Sequence, residues 1–205
     1  WTFSPTNEWN GEVAFSYYVS DGIDIGSSAG VGNEEILVYG NSIYKILSTT
    51  AESDSKQEAR ALGGTLASIN SSHENEFITH AFKDDYWALY MGGYIDGDGE
   101  RIWDDGSLMN YENFQPTSHS SGPHIKMILK DSFAPWETNW KQGGWHPIDN
   151  SDIAEPNNPK HESGKPSASA YLSEIPFIRR GDSAYVVVEG PTWEQAEANA
   201  QKLGG

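Results

Sequence analysis

The spacing of apolar positions in the first half of the chain predicts a strand pair followed by a helix. Apolar residues within 36–47 predict two strands that meet at a Gly40-Asn41 turn. Residues 51–62 then follow the helical period, and Gly63-Gly64 supplies a stop signal. The chain therefore enters its central region through a hairpin and a helix.

A second helix is predicted after a short strand at residues 66–69. Asn70 or Ser71 can cap this helix, because either side chain can accept a hydrogen bond from the first turn. Its apolar stripe consists of Phe77, Ile78, Ala81 and Phe82. The pattern predicts a helix that buries one face.

After residue 86 the pattern changes to short apolar runs separated by long polar stretches. The predicted strands are 87–90, 102–103, 124–129 and 170–178. The longest polar stretch runs from Lys130 to Ser169. A stretch of that length within a compact domain is typical of a functional loop.

The two ends of the chain predict pieces of other units. Residues 1–23 predict two strands around an Asn10-Gly11 turn, and residues 24–35 predict a linker. A lone hairpin is not stable by itself, so we interpret residues 1–23 as the end of a preceding β-sandwich domain.

An internal repeat relates the C-terminal segment to the first predicted hairpin and helix. With a constant offset of 141 positions, six residues of the segment 42–64 recur in 183–205. They are Ser42, Tyr44, Ala59, Leu62, Gly63 and Gly64. We interpret residues 183–205 as the start of a second copy after a linker at 179–182; chance agreement is the alternative.

Composition restricts the classes of partner. Thirty Asp and Glu against 13 Lys and Arg give a net charge of −17, which repels nucleic acids and anionic lipid. The carboxylates are compatible with divalent cations, although solubility in a salty medium is an equal explanation. The chain has no Cys, which excludes thiol nucleophiles and zinc–thiolate sites. No apolar run of the sequence is long enough to insert into a membrane.

Residues 36–178 resemble the C-type-lectin-like domain. The resemblance rests on Ala61–Ile69, Ser71–Phe77, Tyr90–Gly93, Trp103–Ser107 and Tyr111–Phe114. It implies an α+β fold with two helices, small antiparallel sheets and a long irregular loop region. The flanks resemble a bacterial cadherin-like repeat and a joint between lectin-like modules, which implies an extracellular or cell-surface chain with many domains.

In the C-type-lectin-like family, calcium is often held by a Glu-Pro-Asn or Gln-Pro-Asp triplet, a later Glu and a Trp-Asn-Asp triplet. Gln115-Pro116-Thr117 occupies the position of the proline-containing triplet. Trp145-His146-Pro147 follows where Trp-Asn-Asp would fall, with Asp149, Asn150 and Asp152 behind it. The match is incomplete, because Thr117 is a weaker ligand than Asp or Asn.

A second candidate for calcium is Glu155-Pro156-Asn157-Asn158, with Glu162 seven residues after Glu155. The resemblance associates this triplet with mannose- or glucose-type ligands. Its position late in the long loop is unusual, and a polar surface loop stiffened by proline is the alternative.

Trp136, Trp140 and Trp145 form an aromatic cluster in the long loop. Exposed rings could stack on sugars, and packing beneath the loop is the alternative. We therefore expect a module that binds glycans or surface glycoproteins with the help of calcium. A lectin-like module that binds protein or acts as a spacer is the alternative, and no carboxylate pair indicates an enzyme.

Overall fold

The chain forms helices and a mixed sheet in a computed structural model that describes residues 2–3, 13–14, 36–49, 51–115, 122–131, 141–149, 169–180 and 183–204. The helices are α1 (Glu52–Ala61), α2 (Ser72–Phe82) and α3 (Trp193–Gln201). The strands are β1 (Thr2–Phe3), β2 (Val13–Ala14), β3 (Leu37–Tyr39), β4 (Ser42–Ile46), β5 (Thr65–Leu66), β6 (Ala88–Ile95), β7 (Arg101–Ile102), β8 (His124–Ile128), β9 (Trp145–Ile148), β10 (Ser169–Pro176), β11 (Ile178–Arg180) and β12 (Ser183–Tyr185). The predicted α+β class is confirmed.

The central sheet joins the two halves of the domain through β10. Its strands lie in the order β3, β4, β10, β6, β8 and β9, with β5 beside β10 and β7 beside β6. Neighbouring strands are antiparallel except for β6 and β10, which are parallel. Since β10 pairs with both β4 and β6, the last strand holds the helical half against the loop-bearing half.

Alternation along β4 separates two apolar clusters. Ile43 and Leu47 face α1 and belong to the α1 cluster, whereas Tyr44 and Ile46 belong to the α2 cluster. The other central members of the α1 cluster are Ala59, Leu62, Leu66, Tyr171 and Ile175. Those of the α2 cluster are Ile78, Phe82, Leu89, Met91, Trp103, Ile125, Met127 and Trp145. Each large buried side chain contributes about 1.5–3 kcal/mol of transfer free energy.

The two predicted helices of the central region are confirmed, and local hydrogen bonds explain their ends. The Ser71 hydroxyl accepts from the backbone N–H of Glu74 at 3.1 Å, so Ser71 is the cap of α2. Gly63 follows α1 with φ +85°, and its N–H donates to the Arg60 carbonyl at 2.9 Å. A left-handed glycine at this position ends the helix.

Three strand predictions need correction. Residues 145–148, predicted within a long loop, form β9, which pairs with β8. The predicted strand at 66–69 shrinks to β5, because the Ser68 N–H donates to a Glu174 carboxylate instead of a neighbouring strand. Part of the predicted linker 179–182 lies in β11, which forms a hairpin with β12.

Candidate functional site

The long loop carries most of the predicted ligand-binding residues, and the structure describes only its base. Gln115, Trp145 and Asp149 lie in the described part of the chain. The remaining predicted residues lie outside the described residues: Thr117, Trp136, Trp140, Asp152, Glu155, Asn157, Asn158 and Glu162. The geometry that follows is therefore that of the scaffold from which the loop departs.

Trp145 opens β9 and is fully buried, so it belongs to the scaffold. Its ring packs edge-to-face with Trp103, Tyr111 and Phe114, with centroids 5.5–5.6 Å apart. Its indole N–H donates to the Asn75 side-chain oxygen at 2.7 Å. A role in stacking on a sugar does not fit this placement, because neither face of the ring reaches solvent.

One backbone carbonyl ties three segments together at the loop base. The side-chain amides of Asn75 and Asn113 both donate to the Gly143 carbonyl, at 3.1 and 2.8 Å. A Cβ at Gly143, where φ is +78°, would lie 2.9 Å from both the Asn75 amide nitrogen and the Thr79 hydroxyl. Helix α2 therefore approaches the backbone of residue 143 as closely as a glycine allows.

The segment 113–115 runs beside the start of β9. The Trp145 N–H donates to the Asn113 carbonyl at 2.9 Å, and the Gln115 N–H donates to the Trp145 carbonyl at 3.0 Å. The half-buried Gln115 side chain lies against Gly144, where a Cβ would come within 2.3 Å of its Cγ. Asp149 is exposed after the other end of β9, so the structure does not bring Gln115 and Asp149 together.

These positioning residues escaped sequence reasoning for different reasons. Asn75 has a helical environment that gives no hint of its two buried partners across the fold. Asn113 lies in the Tyr-x-Asn-Phe segment on which the family resemblance rests. The sequence therefore marked this residue as typical of the family but did not indicate that its amide binds the Gly143 carbonyl. The Gly143-Gly144 pair was a further signal, because adjacent glycines often mark a close backbone approach.

The described residues form no group of three or more Asp, Glu, His or Cys side chains that could hold a metal ion. The buried Glu74 and the half-buried Glu174 place two carboxylates beside the Tyr44 hydroxyl. Glu174 accepts from the Ser42 hydroxyl at 2.8 Å and from the Ser68 hydroxyl at 2.6 Å. Glu74 accepts from the Tyr44 hydroxyl and from the Asn70 N–H. Because protein donors already engage all four carboxylate oxygens, this pair does not fit a calcium cage.

Burial is the largest influence on the pKa values of Glu74 and Tyr44. Desolvation raises the pKa of Glu74, and the hydrogen bond from Tyr44 opposes that shift. Desolvation also raises the pKa of Tyr44, with the nearby Glu174 and Glu74 charges adding to the effect. Tyr44 therefore remains a hydrogen-bond donor at any physiological pH, and the pair acts as a link between β4, α2 and β10.

His146 is the buried titratable group nearest the loop base. Desolvation lowers its pKa to about 4, and the charge of Lys126 contributes in the same direction. The imidazole is therefore neutral near pH 7. It lies between the buried Trp145 and the core residue Ile148 along β9.

Comparison with known proteins matches the family described as "Lectin C-type domain" over residues 49–163. Similar solved structures include the mouse scavenger receptor C-type lectin carbohydrate-recognition domain, 14% identical with a TM-score of 0.49, covering 69% of this chain and 93% of that one. The C-type lectin CEL-I from Cucumaria echinata is 16% identical with a TM-score of 0.47, covering 67% and 91%.

Human lithostathine is similar in the same sense, at 14% identity and a TM-score of 0.48, covering 69% of this chain and 88% of that one. In the part of the chain that the structure describes, no helix has the length and apolar character needed to cross a bilayer. The family match spans more than half of the 205 residues and includes α1, α2 and the base of the long loop. The chain belongs to the C-type lectin domain family.

Proposed function

We propose that this domain is a carbohydrate-recognition module whose binding surface is formed by the segments between Gln115 and Ser169 that lie outside β8 and β9. The observation that carries the proposal is the Lectin C-type match, which extends over the acidic segment up to residue 163. Support comes from the loop base, where Asn75, Asn113 and Gly143 tie the departing segments to α2. A binding loop on a rigid base loses less conformational entropy when its ligand binds.

We assign calcium to the acidic segment of the loop rather than to the described scaffold. Glu155, Asn157 and Glu162 offer the carboxylate and amide oxygens that calcium prefers, and Asp149 and Asp152 are further candidates. A bound calcium ion would supply open coordination positions for vicinal sugar hydroxyls. The side chains of the chain itself would orient the sugar by accepting hydrogen bonds from the same hydroxyls.

Calorimetry and a glycan array test this assignment directly. We expect calcium uptake at millimolar concentration, and binding to mannose- or glucose-type glycans that disappears with a chelator. Glu155→Gln and Asn157→Ala should each weaken both by about tenfold or more, because a lost charged or amide ligand costs roughly 1.5–3 kcal/mol. Glu197→Gln, which removes the same charge from exposed α3, should leave both unchanged.

A module that binds protein, or one that acts as a spacer, is the second candidate function. It is favoured by the incomplete calcium motif, because Trp145-His146-Pro147 stands where the family has Trp-Asn-Asp, and both Trp145 and His146 are buried in β9. A blank glycan screen together with no calcium uptake would select this function and reject the first.

The wider context of the module belongs to the same proposal. C-type lectin domains are typically extracellular, and we infer a secreted or cell-surface chain in which lectin-like modules follow a β-sandwich repeat. The pairing of β1 with β2, Thr2 opposite Ala14, supports strands at the start of the chain. In such an array, weak single-module affinities would combine through multivalency.

A further inference from the structure

The C-terminal hairpin and helix repeat the first hairpin and helix at a constant offset of 141 positions. Leu37, Val38 and Tyr39 of β3 face Tyr44, Ile43 and Ser42 of β4. Ile178, Arg179 and Arg180 of β11 face Tyr185, Ala184 and Ser183 of β12, which is the same register shifted by 141. Helix α3 begins at Trp193, again 141 positions after Glu52 of α1.

Hydrogen bonds between loop and helix recur at the same offset. In the first unit the Ser48 hydroxyl donates to the Glu58 carboxylate. The equivalent positions in the second unit are Glu189 and Asn199, and there the bond runs in the opposite direction, from the Asn199 side-chain amide to the Glu189 carbonyl. Gly63 and Gly204 both end their helices with positive φ, at +85° and +80°. The second unit, residues 178–204, therefore folds as a copy of the first.

Among the described residues, one face of the second unit packs against the α1 cluster, and the other exposes large apolar side chains. Leu203 is buried, and Ala184 packs against the same α1 cluster that contains Ile43 and Leu62 of the first unit. The opposite face exposes Ile178 at 61%, Tyr185 at 51% and Val187 at 82%. In the first unit, Leu37 and Tyr44 at the equivalent positions are 4% and 1% exposed, and Ile46 packs against the α2 cluster.

We infer that this exposed face, formed by Ile178, Tyr185 and Val187, is the docking surface for the body of a second lectin-like module. This inference rests on the modular array proposed above. The partner must supply an antiparallel strand, as β10 does for β4, and an amphipathic helix that covers Tyr185 as α2 covers Tyr44.

Backbone geometry identifies the edge that this strand would occupy. In the first unit the Leu47 N–H donates to the Tyr171 carbonyl of β10 at 2.9 Å. Because backbone groups alternate between the two edges of a strand, the equivalent amides are those of Val186 and Val188. Neither amide donates to a backbone carbonyl among the described residues.

The other edge of the second unit is held by the first module. The Glu189 N–H donates to the Ala61 carbonyl at 2.9 Å, and a Cβ at Gly63 would lie 1.9 Å from the Val187 carbonyl oxygen. This contact orients the second unit and leaves the Val186–Val188 edge for its partner. A second folded copy of the chain is disfavoured as that partner, because its own β10 is already paired with β4 and β6.

The test extends the 205-residue chain after Gly205 with a second copy of residues 65–177, which continues the offset of 141 without a gap. In the extended chain the partner should bury the Val187 side chain. Val187→Ser should therefore lower the unfolding midpoint of the extended chain by about 4 °C or more, because a buried hydroxyl replaces a buried apolar group. In the 205-residue chain the shift should stay below about 2 °C. Gln195→Ser, at an exposed position of α3, is the control and should change the unfolding midpoint of either chain by less than about 2 °C.

Amide hydrogen exchange in the 205-residue chain decides the question even if the extended chain does not fold. We expect protection at Glu189 and none at Val186 or Val188; in the folded extended chain all three should be protected. Protection of Val186 and Val188 in the 205-residue chain would overturn the inference, since a second copy or the β1 segment, which lies beside β12, would then cover the edge. Analytical ultracentrifugation distinguishes the two cases, because a second copy would give a dimer and the β1 segment would leave a monomer. Because neither readout involves sugar, failure of glycan binding would leave this result unaffected.

Discussion

At the scale of single residues, Asn75 organises the base of the long loop. Its side chain uses both functional ends, since the amide nitrogen donates to the Gly143 carbonyl and the oxygen accepts from the Trp145 indole. The residue is buried on α2, and its own carbonyl accepts from the Thr79 hydroxyl at 2.6 Å. One side chain thus fixes the positions of a helix, a strand and a loop end.

Replacing Asn75 by Ala should destabilise the fold by about 2–4 kcal/mol, because the buried Trp145 N–H loses its partner and two hydrogen bonds disappear. Urea unfolding followed by tryptophan fluorescence measures the change. Asn113→Ala is the matched control and should cost less, since the Gly143 carbonyl keeps its bond from Asn75. Equal losses in the two variants would contradict this account of Asn75.

The sequence could suggest the chemistry of these residues but not their partners. Ser71 was one of two predicted caps, and its role follows from local rules that act within three residues. Asn75 and Gly143 are 68 positions apart, so no local rule connects them. Trp145 could be read as a stacking ring or as packing, and only its three aromatic neighbours establish its burial.

At the scale of elements, helices were easier to predict than strands. Helix α2 has an apolar stripe and a cap signal, and α1 has the apolar Ala59 and Leu62 followed by the Gly63-Gly64 stop signal; these local signals suffice. Strand β9 lacks alternation because Trp145, His146 and Ile148 are all buried, and Pro147 argues against a strand. Proline is tolerated there because β9 is the last strand of the sheet, and the segment 113–115 on its other side bonds to Trp145, two residues before Pro147.

The burial of His146 in β9 makes stability depend on pH. Its pKa of about 4 in the folded state lies below the ordinary histidine value of 6.5, so the unfolded state binds more protons between these two pH values. The contribution of His146 is complete above pH 6.5 and falls by up to about 3 kcal/mol as the pH drops toward 4. Chemical unfolding at pH 7, 5.5 and 4 should show that the free energy of unfolding falls less with decreasing pH for His146→Gln than for the unmodified chain.

The exposed His80 on α2 provides the comparison for that experiment. His80→Gln should keep the full pH dependence of the unmodified chain. A loss of the same size in all three proteins would mean that His146 does not titrate as its burial requires.

At the scale of the whole molecule, the sequence was sufficient to predict the family and the repeat. It was not sufficient to predict the contact between the two units at Gly63 and Val187. The six coinciding residues of the repeat predicted a strand and a helix within 183–205, and β12 and α3 lie there. The contact of Gly63 with Val187 joins positions in different copies, so a comparison of the copies could not reveal it. The assignment of calcium to Glu155, Asn157 and Glu162 stays a prediction.

Gly63→Ala should loosen the second unit from the first. The new methyl group would meet the Val187 carbonyl oxygen, in addition to the strain of a left-handed alanine. Gly40→Ala is the control, because residue 40 also has positive φ but nothing lies within 4 Å of its added Cβ. We expect Gly40→Ala to cost about 1–2 kcal/mol and Gly63→Ala clearly more.

Limited proteolysis localises the effect of Gly63→Ala. Cleavage within 183–204 should accelerate in that variant and not in Gly40→Ala. Equal behaviour of the two variants would show that the contact with Val187 does not hold the units together.

The bond from Glu189 to Ala61 and the burial of Leu203 also have a mechanical consequence. Tension applied beyond Gly204 cannot detach the last helix alone, because Leu203, which follows that helix, is buried in the α1 cluster of the first unit. Both units therefore bear the load together, and the force has to disrupt the α1 cluster before α3 can separate.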